Sequence, residues 1–158
     1  MVDVTYSQAA TVRRAAADAV PSKGDGPNLK ILTAYRNPGA LVVASTIKLG
    51  RFDSNARLHA LSNIKYSANA ASTTLAVGLA SVNNNFGAAV PAALLAATSI
   101  ASAGTSQLGS LANAGKMLWE HAGLSSDPGG QIDVYATTGG ATLNSSSDIV
   151  AEFAISLD

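Results

Sequence analysis

Apolar positions along this chain recur mostly at every second residue, in short runs separated by Gly, Pro, Asn and Asp. That is the spacing of half-buried strands. The clearest run is the last, where Ile149, Ala151, Phe153, Ile155 and Leu157 alternate with Val150, Glu152, Ala154 and Ser156. Before it, Gln131 to Thr138 sets Ile132, Val134 and Ala136 on one face. The link from Gly139 to Asp148 is polar and loop-like, so the two runs are expected to form a terminal hairpin. Upstream, Ile31 to Tyr35 is a short strand and Asn37-Pro38-Gly39 a turn. Leu41 to Leu49 is rich in β-branched residues, with Val43, Ser45, Ile47 and Leu49 on one side, and Asp53-Ser54-Asn55 is a further turn. Arg57 to Tyr66 places Leu58, Ala60, Ser62 and Ile64 opposite Arg57, His59, Asn63 and Lys65, a pattern that Leu61 interrupts. Thr73, Leu75, Val77 and Leu79 alternate again.

Other stretches read differently. Pro91 to Ile100 is rich in Ala and Leu and is expected to form a short helix. Leu111 to His121 is expected to form another, with Leu111, Leu118 and Trp119 inward and Gly123 as its C-terminal cap. Asn83-Asn84-Asn85 and Ser125 to Gly130 are loop chemistry. Residues 1–30 lack sustained periodicity. Thr11 to Val20 suits a short helix ended by Pro21, and Ser22 to Pro27 is loop. The organisation expected is an N-terminal extension or arm over 1–30, ordered only by a neighbour, and a β domain over 31–158. Short strands between turn signals point to a sandwich or barrel, and no internal repeat is present.

Composition narrows the function. The 158 residues carry ten basic and ten acidic side chains. Zero net charge gives no strong pull toward nucleic acid or membrane. The halves differ: residues 1–65 hold nine Lys/Arg and four Asp/Glu, a net of +5, and residues 66–158 hold one and six, a net of −5. This polarity reads either as a guide for packing one subunit's arm on the next or as two mildly charged solvated surfaces. With no cysteine there is neither a disulfide framework nor thiolate chemistry. No signal peptide is legible, and the most apolar stretch, Phe86 to Ala101, contains Pro91 and falls short of a bilayer span of about 20 residues. The chain is expected to be soluble. Small side chains dominate and only 13% of residues are charged, which suits close-packed assembly better than a polar active site.

Candidate chemistry is sparse. His59 and His121 have no partner at metal-ligand spacing. His59 reads as strand surface, and His121 as a residue near a helix end, where a cation is favoured. Gly109 to Lys116 imitates a phosphate loop, but five residues separate its glycines and Met117 follows the lysine, so it fails the motif. Glu120, Asp127 and Asp133 are the densest carboxylates, with loop between them, and Asp127 before Pro128 suits turn chemistry. Trp119, the sole tryptophan, reads as core or subunit interface. No catalytic, cofactor-binding or metal-binding residue is assigned, and no enzyme is expected.

Three stretches carry a family resemblance: Thr73-Thr74-Leu75-Ala76-Val77-Gly78-Leu79, then Gly115-Lys116-Met117-Leu118-Trp119-Glu120-His121-Ala122-Gly123 with its following Asp127-Pro128-Gly129 turn, and the Ile132 to Ala141 segment. From about residue 40 to the end the chain resembles small virion structural proteins of tailed bacteriophages, of the capsid decoration or cement type. The resemblance implies a jelly-roll-like β-sandwich, incorporation in many copies and no catalysis. It implies the major capsid protein and copies of the chain itself as partners, with no nucleic acid and no membrane. It also implies residence in the virion capsid, after assembly in the host cytoplasm. The alternative is a head–tail connector, neck or tail structural protein. A carbohydrate-binding module would want clustered aromatic platforms, which one Trp and four scattered Tyr do not supply.

Overall fold

The alternating runs become strands stacked as two antiparallel sheets. The computed structural model describes residues 29–156. Among these are β1 (Lys30–Arg36), β2 (Thr46–Asp53), β3 (Arg57–Leu58), β4 (Asn63–Tyr66), β5 (Thr74–Ser81), β6 (Val90–Ser99), β7 (Gly104–Gln107), β8 (Gln131–Gly139) and β9 (Ile149–Ser156). One sheet has the order β1-β9-β4-β7, with β3 also on β9, and the other the order β2-β8-β5-β6. The order rests on four nested antiparallel pairs: β1 with β9, β2 with β8, β4 with β7, and β5 with β6. The chain is in effect one long hairpin with its tip between β5 and β6. It is wrapped so that β9 also meets β4 and β8 also meets β5. This is a jelly-roll-like sandwich.

The wrap buries one face of each sheet against the other. Leu75, Val77 and Leu79 of β5, Ile132, Val134 and Ala136 of β8, and Ile149, Ala151, Phe153 and Ile155 of β9 are all buried. The Phe52 and Phe153 rings meet at 5.0 Å, inclined by 60°. Full burial of each large apolar side chain is worth about 1.5–3 kcal/mol. β9 also buries Ala154 and Ser156, on its other face. There the turn between β3 and β4 folds over it: His59 N–H donates to the Ala154 carbonyl, the Ser62 hydroxyl both donates to and accepts from the Ala154 backbone, and His59 Nε2 lies 3.0 Å from Ser156 Oγ. Only small side chains leave room for that approach.

Several expectations are corrected. The last two strands are not a hairpin, because β8 and β9 lie in different sheets. Their link crosses the sandwich, pinned by the Leu41–Leu143 bridge and by Asn69, whose Oδ1 accepts from Asn144 N–H and Ser147 Oγ. Pro91 to Ile100 is not helical. It supplies most of β6, where pairing with β5 overrides Ala/Leu helix propensity and an edge position tolerates Pro91. The helix over 111–121 reduces to a 3-10 turn (Leu111–Asn113) and one α-turn, α1 (Leu118–His121), separated by Gly115 at φ +81. Leu118 is buried and Trp119 packs on the core, but Leu111 is 77% exposed. Gly123, at φ +76, directs its N–H to the Glu120 carbonyl, as a C-terminal cap should. The strand expected from Leu41 begins at Thr46, since Ala44 has a positive φ and Val43 is exposed. Arg57 to Tyr66 splits into β3 and β4, with Leu61 exposed at the turn between them. The arm over 1–30, apart from its last residues, lies outside the described residues, as do the helix expected at Thr11 to Val20 and Leu157.

Candidate interaction surface

The residues with chemical potential are engaged in structural roles, and the fold does not bring them together. Glu120 accepts the Met117 N–H at 2.7 Å and so closes the start of α1. Asp127 accepts the Gly129 N–H at 2.9 Å within its turn. Asp133 is gripped by the Arg51 fork at 2.6 and 2.9 Å and by Lys48 at 2.8 Å. The Arg51 bonds, helped by Lys48, hold its carboxyl below the usual range. Trp119 Nε1–H points to Met117 Sδ at 3.1 Å. Among the described residues no three His, Cys, Asp or Glu side chains form a metal-binding group. In the stretch that imitates a phosphate loop, the N–H groups of Gly109, Asn113, Ala114, Gly115 and Lys116 already donate to carbonyls of Leu94, Ser110, Leu111, Leu58 and Asn113. They are not free to cradle an anion.

The histidines also differ from expectation. His59 is half-buried over β9. His121 ends a single turn, and its buried Nε2 has no hydrogen-bond partner. Burial, with Lys116 adding repulsion against the pull of Glu120, lowers its pKa. At neutral pH this favours the neutral ring over the cation that a longer helix would favour.

The charge polarity of the chain is partly spent inside the subunit. Lys48 and Arg51 meet Asp133, and Lys65 meets Glu152 at 2.9 Å, each joining the basic first half to the acidic second half. Tyr35 donates its hydroxyl to Asp148 at 2.6 Å and Asn37 donates to the same oxygen at 2.9 Å, anchoring the end of β1. The Tyr35 bond, then Asn37, lowers the Asp148 pKa, and the same bond raises that of Tyr35.

What remains is surface. On the outer face of the β2-β8-β5-β6 sheet, a depression of about 340 Å³ is lined by Thr46, Lys48, Ala80, Ala89, Asp133 and Tyr135. Beside it Gly78 is obligatory, since a Cβ there would run into the Val90 carbonyl and Pro91. On the other sheet β1 is an edge. Ile31, Leu32 and Tyr35 are 65, 44 and 57% exposed, and Leu29 leads into them. Along this edge a groove of about 260 Å³ runs between β1 and β2, lined by Leu32, Phe52 and Ile155 with Lys30, Arg51, Asp53 and Gln131. The periodicity reading did not identify this surface. The available signal was the sequence Lys-Ile-Leu-Thr-Ala-Tyr-Arg itself, which is apolar on both faces of a short strand.

No family model and no curated protein matches the chain. Among solved structures, a chain of the capsid of Ralstonia phage GP4 superposes with a TM-score of 0.60, over 85% of this chain and 88% of that one, at 14% identity. The two share a fold over nearly their whole lengths. The class the architecture defines is therefore a compact jelly-roll-like sandwich with a counterpart in a phage capsid.

Proposed function

We propose that the chain is a structural protein of a tailed-bacteriophage particle. In this reading it is a capsid decoration, or cement, protein that bridges major capsid subunits and catalyses nothing. The observation that carries the reading is the fold shared with a phage-capsid chain over almost all of both chains, which are nearly equal in length. The engaged state of the carboxylates and the open apolar edge of β1 support it. Its partners are the major capsid protein and further copies of itself, and its place is the virion, reached by assembly in the host cytoplasm. Residues 1–30 serve as an arm that orders on a neighbour, and residues 31–158 are the sandwich.

Stabilisation then follows from mass action. A subunit that binds the intact shell but not the ruptured one adds about 2.7 kcal/mol per site at a free concentration 100 times its Kd. The test is to quantify the protein in purified particles, then heat particles with and without it. Copies in proportion to the major shell protein, earlier rupture of depleted particles and rescue by added protein are the expected results. A copy number fit for a single ring, with unchanged heat resistance, would move the protein to the neck or tail.

A further inference from the structure

The sheet edges are not alike. β6 carries Pro91 and two register shifts, β2 carries a bulge between Lys48 and Gly50 together with Lys48, Arg51 and Asp53, and β7 is only four residues long. Each of these features blunts an edge against pairing with another chain. β1 has no proline and no bulge, and its charges, Lys30 and Arg36, stand only at its two ends. It runs seven residues in unbroken register with β9 and, among the described residues, has no strand on its other side. Its open side is a row of backbone donors and acceptors flanked by exposed Ile31, Leu32 and Tyr35. A strand added there would lay every second side chain toward the groove walled by Leu32, Phe52 and Ile155. The occupant should therefore be apolar at alternate positions.

A second β1 suits this edge poorly. Antiparallel pairing centred on Thr33 would set Lys30 opposite Arg36, and like charges directly opposed are destabilising. The chain carries a better candidate. Val2-Asp3-Val4-Thr5-Tyr6-Ser7 alternates strictly and is rich in strand-forming residues. Residues 8–28 connect it to β1 and reach up to roughly 70 Å when extended. A domain of this size has a radius of gyration of only about 14 Å, so a tether of that contour length is long enough to reach an adjacent subunit. In a crowded array, exchange of an identical element is a low-cost way to link copies.

Resting on the assembly reading above, we propose that Val2–Ser7 of one copy adds as a strand to β1 of a neighbouring copy. Val2, Val4 and Tyr6 enter the groove, and Asp3, Thr5 and Ser7 lie on the outer face beside Ile31, Thr33 and Tyr35. The absence of cysteine makes the test clean. Full-length Asp3→Cys, Thr5→Cys and Ser7→Cys variants are each mixed with Thr33→Cys and oxidised. Leu111→Cys mixed with Thr33→Cys sets the background. The expected result is a covalent dimer several-fold above background for at least one of the three mixtures. A chain carrying both Thr5→Cys and Thr33→Cys that closes on itself as a monomer would overturn exchange between copies. Background-level dimer in all three mixtures, with particle binding intact, would overturn the proposal and leave the decoration reading standing. Strong cross-linking by protein that does not bind particles would do the reverse.

Discussion

Truncating Phe153 to alanine measures how much of the stability lies in the contact between the sheets. Phe153 is 1% exposed at the middle of β9, the strand that pairs with β1, β3 and β4. Its ring is the direct bridge to Phe52 of the opposite sheet. Removing it forfeits the transfer free energy of the ring and leaves a cavity that strands held on both sides close poorly, a loss of about 3–5 kcal/mol. For a chain of this length each kcal/mol moves the melting temperature by about 2–4 °C, so a loss of about 4 kcal/mol corresponds to roughly 8–16 °C. Phe153→Asp goes further, since it buries a charge with no partner. The control is Leu111→Ala, at 77% exposure, expected within about 0.5 kcal/mol of wild type. Calorimetry and urea unfolding at neutral pH read both variants. A Phe153→Ala protein melting within about 2 °C of wild type would refute the claim that the sheets are joined through this ring.

Three further outcomes are expected. Asp133 has a depressed folded-state pKa, so its pairing with Arg51 and Lys48 stabilises above the ordinary carboxylate value and is lost as pH falls through the lower folded one. Wild-type stability should therefore drop more steeply below about pH 4 than that of Asp133→Asn, and parallel acid titrations of the two would contradict this. His121 is the converse group: its folded pKa lies below the ordinary value of about 6.5, so the unfolded chain takes up the proton first and stability declines as pH falls through that window. Urea midpoints between pH 7.5 and 5.5 should fall less for His121→Gln than for wild type, and equal slopes would remove His121 from the account. Deleting residues 1–28 should leave the sandwich folded by circular dichroism but weaken incorporation into particles; an unfolded product would show that this segment belongs to the core.

The strands were legible where one face is buried along their whole length. Leu75, Val77 and Leu79, Ile132, Val134 and Ala136, and Ile149, Ala151, Phe153 and Ile155 were readable inward faces, because a period of two leaves a one-sided signature where the opposite face carries mostly small or polar side chains, even on β9, where that face is covered at Ala154 and Ser156. The expectation of no catalytic group rests on the single, unclustered carboxylates and histidines of the sequence. Pairing was not legible. β8 and β9 look like neighbours because they are adjacent in the chain, yet the nested wrap sends them to opposite sheets, and no local residue records which distant strand will complete a ladder. Local propensity misled at β6, where alanine and leucine pair with β5, and at 111–121, where Gly115 and the packing of Leu118 leave one turn of helix. The open edge of β1 is the clearest case. Whether an apolar strand is central or at an edge depends on what lies beside it, and that is decided only once the long hairpin has closed on itself.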